Sequence, residues 1–311
     1  LYEVPTLKHP VKQYKCIKRI IKENKYEVTY FNISTAIQCL GILAANKCKV
    51  ENCVIHSHSS GVDIQNNIKR WLMKALHFVC KGVVSGKATS FIACSQKAGE
   101  WMYNRKVLEG DDYTVVHNSA DTKQYVFDVD VRESMRKQMR WDGKRVVIHV
   151  ANFTYQKNNE FLIDVFYEAY NKEPDLVLVL IGKGPKEEKI KKMVAQYGID
   201  DVVVFLKDIS NVNEYLQAAD LFVLPSLFEG YPISALEAQV SGLPCLLSEY
   251  ITGESKLIEQ CDFLPLKKEL WIHQILSFQK NQSRKTVIDS EKLDNKDLSS
   301  MIEKIWCKNT V

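Results

Sequence analysis

The 311-residue chain contains no run of eighteen uncharged apolar residues, which excludes a membrane-crossing helix of ordinary length. Its opening residues, Leu1-Tyr2-Glu3-Val4-Pro5, lack the basic and apolar regions of a secretory signal peptide. No internal repeat or low-complexity tract occurs, so a solenoid or a compositionally biased linker is excluded. Nine cysteines are present, six of them (Cys16, Cys39, Cys48, Cys53, Cys80 and Cys94) in the first third, yet none forms a CxxC pair or has metal-ligand spacing. Free thiols in a reducing cytoplasm are therefore expected, with no zinc site. What is present is ordinary globular material, 46% apolar and 26% charged, enough for two cores of usual size.

The second half is organised as alternating strands and helices. Val146–Val150, Leu176–Ile181, Val202–Leu206 and Leu221–Leu224 are apolar runs of the kind that buried parallel strands show, and helical patterns lie between them at 157–172, 186–197 and 211–219. The segment from about 145 to 265 is thus expected to be a doubly wound parallel sheet. Its most informative stretch follows Leu224. Glu229 stands at a strand's carboxyl end and Glu237 inside the next helix, eight positions on, with Gly230-Tyr231-Pro232 between them. Alone, the first acid would be a helix cap and the second a solvated side chain. Together with the backbone N–H groups at the positive end of that helix, they make a place suited to an anion and to hydroxyls at once.

Further segments end strands in the same way. Asn152-Phe153-Thr154-Tyr155-Gln156-Lys157-Asn158 follows the strand at 146–150, and Gly182-Lys183-Gly184-Pro185 follows that at 176–181. Toward the amino terminus lie two further segments, Lys25–Asn32 and Cys53-Val54-Ile55-His56-Ser57-His58-Ser59. His56 and His58 alternate with period two and face one side, so the pattern does not separate them. Ser95, in Ile92–Ala98, opens a helix and has the plain reading of an N-cap. A last segment is Val115-Val116-His117-Asn118-Ser119-Ala120-Asp121.

In this order the segments resemble the motifs of retaining glycosyltransferases with the GT-B fold, the glycosyl transferase group 1 (GT4) family of capsule, exopolysaccharide and lipopolysaccharide enzymes, over nearly the whole chain. The resemblance implies two Rossmann-like doubly wound α/β domains facing a cleft: 1–117 on the acceptor side, a linker at 118–144, a nucleotide-sugar domain at 145–266, and helices at 267–311 (Lys267–Lys280 and Ser290–Cys307), the last crossing back. It also implies a first strand–helix unit that would precede Leu1. The expected reaction is transfer of a hexose from a nucleoside-diphosphate sugar, UDP by default, to a glycan or polyprenyl-linked acceptor, with retention and without metal or other cofactor. Lys157 would face the diphosphate. Asn152 occupies a position where the family usually carries Arg, leaving one cation fewer there. Gly182 and Gly184 would form the glycine turn, Glu237 would take the ribose diol, and Glu229, with Gly230, Tyr231 and Pro232, would hold the donor sugar. His58, with His56 second, would face the transferred sugar.

Charge is unevenly spread: residues 1–117 hold 17 Lys and Arg against 9 Asp and Glu, whereas 118–311 hold 25 against 29. The excess gathers on two amphipathic patterns, Val11–Asn24 with Ile17, Ile20 and Ile21, and Ile68–Val84 with Trp71, Leu72, Leu76 and Val79. Such a helix either packs into the domain with its lysines solvated or lies on an anionic membrane. A lipid-linked acceptor at the inner face of the membrane favours the second. Three other readings stay open: a non-catalytic GT-B subunit, favoured by Asn152; a sugar-nucleotide epimerase, whose carboxylate pattern differs; and nucleic-acid binding, which has only the basic amino-terminal part for it and no aromatic interleaving.

Overall fold

The computed structural model describes residues 1–278 and Arg284. They form two compact units, one of Leu1–Asn118 with Glu229–Tyr231, the other of Ser119–Phe228 with the described residues from Pro232 onward.

The first unit runs α1 (Pro10–Asn24), β1 (Val28–Ile33), α2 (Leu40–Lys47), β2 (Asn52–Ser57), α3 (Asn67–Lys87), β3 (Ser90–Ala93), α4 (Gln96–Met102), α5 (Arg105–Leu108) and β4 (Tyr113–Val115). Its four strands are all parallel in the order β1-β2-β3-β4, with Asn32 opposite His56 and His56 opposite Ile92. Every residue of β2 is buried, as expected of an inner strand covered on both faces. The helix starts are set by side chains: Asn66 Oδ1 accepts from Lys69 N–H at α3, and Ser95 Oγ accepts from Ala98 N–H at α4.

The second unit runs α6 (Thr122–Tyr125), α7 (Val129–Met139), β5 (Arg145–Val150), α8 (Asn159–Lys172), β6 (Leu176–Ile181), α9 (Glu187–Tyr197), β7 (Val203–Leu206), α10 (Val212–Ala218), β8 (Leu221–Leu224), α11 (Ile233–Val240), β9 (Cys245–Ser248), β10 (Cys261–Leu264) and α12 (Lys268–Ser277). Six parallel strands lie in the order β10-β9-β8-β5-β6-β7. The chain adds β6 and β7 on one side of β5, then returns to add β8, β9 and β10 on the other. A crevice therefore opens at the carboxyl ends of β5 and β8, the place where open α/β sheets bind ligands. The core beneath it joins Val147, Leu178, Leu180, Val223 and Leu246 of the sheet to Leu162, Phe166, Ile190 and Trp271 of the helices.

A polar clasp holds α7 to this sheet. Arg132 and Arg136 both pair with buried Asp220, whose Oδ2 also accepts from Val146 N–H at 2.8 Å. Arg132 further donates to the carbonyls of Gln217, Ala218 and Ala219 at the end of α10, where the helix dipole favours a cation. The helix expected at Ser290–Cys307 lies outside the described residues. Among the described residues the cysteines are free thiols, and no helix is long and apolar enough to cross a membrane.

Candidate active site

In the second unit, the candidate residues gather on the loops that border the crevice between β5 and β8. The loop after β5 is joined to the loop after β8 through Gln156, whose Nε2 donates to Phe228 O at 2.9 Å and whose own carbonyl accepts from Leu227 N–H at 2.8 Å. Lys157 follows, half-buried, and Asn152 is exposed on the same loop. Beneath them His149 is fully buried, with Nδ1 against Val223 O at 2.8 Å and Nε2 against Asn159 Nδ2 at 3.0 Å. Those partners assign a neutral ring that donates from Nδ1 and accepts at Nε2. Burial first, and then the nearby Lys157 charge, push its pKa down to about 4.

The glycine turn after β6 is knitted to the β5 loop. Phe153 N–H donates to Lys183 O, and Lys186 N–H to Phe153 O, both at 3.0 Å. Gly182 has φ +154°, and a Cβ there would stand 2.1 Å from Ala151 O, so no side chain fits. Glu237 sits one turn into α11, whose N-cap is Pro232. Its carboxylate accepts from the Tyr125 hydroxyl of α6. Burial raises the Glu237 pKa and the Tyr125 hydrogen bond draws it back in part.

In the first unit, the candidate residues lie at the carboxyl ends of β1, β2 and β3, together with Glu229–Tyr231. His58 Nε2 meets Asn32 Oδ1 at 2.8 Å, and His56 Nδ1 meets the Tyr30 hydroxyl at 2.6 Å. The two ring centroids lie 3.9 Å apart with planes tilted by 38°, so both do occupy one side of the strand end. They are not equivalent. His56 is buried and its Nε2 has no hydrogen-bond partner, whereas His58 is half-buried at the strand's exit. Burial, and then His58, push the His56 pKa down to about 3; burial lowers that of His58. Both rings are neutral at physiological pH.

The Glu229-Gly230-Tyr231 backbone is held at three successive carbonyls. Ser60 Oγ donates to Glu229 O at 2.6 Å, Ser95 Oγ to Gly230 O at 2.7 Å, and Asn118 Nδ2 to Tyr231 O at 2.7 Å. The Tyr231 ring stacks on His117, with centroids 4.5 Å apart and planes 13° from parallel. A Cβ on Gly230 would come within 2.4 Å of His58 O and 2.7 Å of Cys94 Sγ, so glycine alone permits this approach. Glu229 itself is 5% exposed. Ser95 thus caps its helix and also grips the motif. Ser60 and Tyr125 belong to no motif of the sequence, whereas His117 and Asn118 stand in the segment 115–121. Among the described residues, no cluster of three or more His, Cys, Asp or Glu has an arrangement able to hold a metal ion.

Two parallel-sheet α/β units, with candidate groups at the carboxyl ends of the strands in each, define the GT-B fold class. The profile of the family described as "Glycosyl transferases group 1" matches residues 131–286, half of the chain, and the chain belongs to that family. The EpsF protein of Bacillus subtilis is 28% identical over 256 residues, covering 81% of this chain and 66% of that protein. A UDP-Gal:alpha-D-GlcNAc-diphosphoundecaprenol alpha-1,3-galactosyltransferase of Escherichia coli is 26% identical, covering 82% and 67%. The chain thus spans about two thirds of the length of these relatives. Among solved structures, Anabaena Alr3699/HepE in complex with UDP and glucose superposes with a TM-score of 0.76 at 17% identity, covering 94% of this chain and 81% of that one. Sucrose-phosphate synthase from Thermosynechococcus elongatus gives 0.72 at 17% identity, with coverage of 98% and 80%.

Proposed function

We propose that the protein is a retaining glycosyltransferase of the GT4 type. It moves a hexose from a nucleoside-diphosphate sugar, with UDP favoured, to a glycan or polyprenyl-linked acceptor in cell-surface polysaccharide synthesis, at the inner face of the membrane. The observation that carries this reading is the crevice where the strand order reverses, with the Lys157 loop and the β8 loop bonded to each other at its rim through Gln156. Relatives and fold neighbours whose names include UDP or a UDP-sugar support the choice of nucleotide.

In this reading Lys157 and the first N–H groups of α11 meet the charge that develops on the departing diphosphate. Electrostatic stabilisation of that kind is usually the largest catalytic contribution, and it needs no metal. Glu237 accepts from the ribose diol, and Gly182 and Gly184 let the β6 turn approach the nucleotide. Glu229 takes the donor sugar's hydroxyls, on a backbone pinned by Ser60, Ser95 and Asn118. His58, neutral because it is desolvated, faces the transferred sugar as a hydrogen-bonding group. Asn152 favours a second reading, a binding subunit without turnover, since an amide contacts phosphate more weakly than a guanidinium does.

A thermal-shift panel of UDP-, GDP- and ADP-sugars tests the proposal. One nucleotide class, at a hundred times its dissociation constant, should stabilise the protein by about 2.7 kcal/mol. A panel with no response from any of them contradicts nucleotide-sugar binding.

A further inference from the structure

The two basic amphipathic helices end differently. In α1 the apolar stripe turns inward: Ile21 is buried, and Ile17 and Ile20 line a cavity of about 440 Å³ with Tyr2, Val4, Tyr30 and Phe31. In α3 the stripe turns outward. Ile68, Trp71, Leu72, Leu76 and Val79 follow one another at steps of three, one, four and three, which places them on one helix face. All five are exposed, Ile68 by 73%, Trp71 by 68% and Val79 by 73%.

The opposite face fixes the helix. His77 is fully buried, its Nδ1 accepting from Ala36 N–H at 3.0 Å and its Nε2 bonding Trp101 O at 2.9 Å, while its ring stacks on Trp101. Arg70 donates to Ile64 O and Gln65 O, and Val84 is buried a further two turns along. The outward apolar face is therefore held in place by its own inner side, and single exposed hydrophobics scattered at random do not account for it. Charge identifies what covers it. Asn67–Lys87 carries not one acidic residue; Arg70 and Lys81 bond carbonyls of the domain (Ile64, Gln65 and Glu100), which leaves Lys69, Lys74 and Lys87 beside the apolar stripe. An apolar stripe without acids, flanked by cations on a helix about 31 Å long, suits an interface that offers hydrocarbon beneath anionic headgroups.

We infer that α3 is a membrane-docking helix, which lies in the plane of an anionic lipid surface with Ile68, Trp71, Leu72, Leu76 and Val79 sunk into the acyl boundary. The inference rests on the proposed lipid-linked acceptor only for the biological sense of the contact. The surface itself is defined by residues that play no part in donor binding.

Flotation of the full chain with phosphatidylglycerol-containing vesicles, against pure phosphatidylcholine, tests it. The protein should float with the anionic vesicles and release as salt rises. Trp71→Glu with Val79→Glu should weaken that binding by about tenfold or more. Trp71→Ser with Val79→Ser, which adds no repulsion, should weaken it in the same direction, and Val129→Glu on α7 should leave it unchanged. The nucleotide-sugar thermal shift of all these variants should match that of the parent, so loss of flotation and loss of donor binding fail separately. Equal flotation of the Trp71/Val79 variants, or no preference for anionic vesicles, overturns the inference. So does a dimer in sedimentation that the same substitutions split, since a second copy would then be the occupant.

Discussion

At the scale of single residues, the account turns on buried groups whose protonation is set by their surroundings. Glu237 is withdrawn from water and hydrogen-bonded by Tyr125, so its pKa lies above that of an ordinary carboxylate. If it takes the ribose diol as a carboxylate, UDP affinity falls as pH drops through that raised pKa, while affinity for inorganic pyrophosphate does not follow it. Calorimetry with both ligands reads the difference. Glu237→Ala should likewise weaken UDP and spare pyrophosphate, whereas Lys157→Ala should weaken both, less so as salt increases. Equal losses for the two ligands in Glu237→Ala would move that side chain elsewhere. Little of this was legible beforehand. The Glu-x7-Glu spacing is plain in the sequence, but Tyr125 lies in a short helix far upstream of Glu237 and belongs to no motif. Ser60, Ser95 and Asn118 converge on the carbonyls of Glu229–Tyr231 only after folding; in the sequence Ser95 has the plain reading of a helix cap, Asn118 stands in the segment 115–121, and Ser60 belongs to no motif.

Elements were read best where burial is uniform. Leu176–Ile181 and Leu221–Leu224 have the bounds that their apolar runs suggest, because strands covered on both faces need an unbroken apolar sequence. β9 and β10 escaped, being four-residue strands with Ser248 in one and Asp262 in the other. The α3 pattern was visible, but whether its stripe packs or faces solvent depends on the neighbours of His77, and no periodicity reports those. The same holds for the clasp on α7. Asp220 faces Arg132 and Arg136, and Arg284 is close enough to interact with it, its own pKa pushed down to about 9 by burial and then by Arg132. Asp220→Ala strands those buried cations and leaves Val146 N–H without its acceptor. It should cost about 3 to 5 kcal/mol in urea unfolding. A loss below about 1 kcal/mol would show that the clasp contributes little.

For the whole molecule, the buried histidines tie stability to pH. His149 titrates at about 4 and His56 at about 3 when folded, against 6.5 for the ordinary side chain. The unfolded chain therefore binds more protons below pH 6.5. Their contribution is intact above that value and is lost as pH falls toward the folded pKa values, at about 1.4 kcal/mol per pH unit for each histidine. Urea midpoints that stay level from about pH 7 to pH 5 would contradict the neutral, buried state of both rings. The fold class as a whole was legible, since alternating apolar strands and helices in this order lead to parallel α/β units, and the structure shows two. The central claim concerns chemistry and is tested most directly at Glu229. With the donor selected by the thermal-shift panel and a glycan acceptor, the product's anomeric proton is followed by NMR for the parent protein and for Glu229→Gln, which keeps shape and removes charge. The account predicts a product with the donor's anomeric configuration. It also predicts turnover lower by about 10² or more in the variant, near 2.7 kcal/mol, with UDP affinity kept within about threefold. An inverted product, or a Glu229→Gln variant with full turnover, would contradict it.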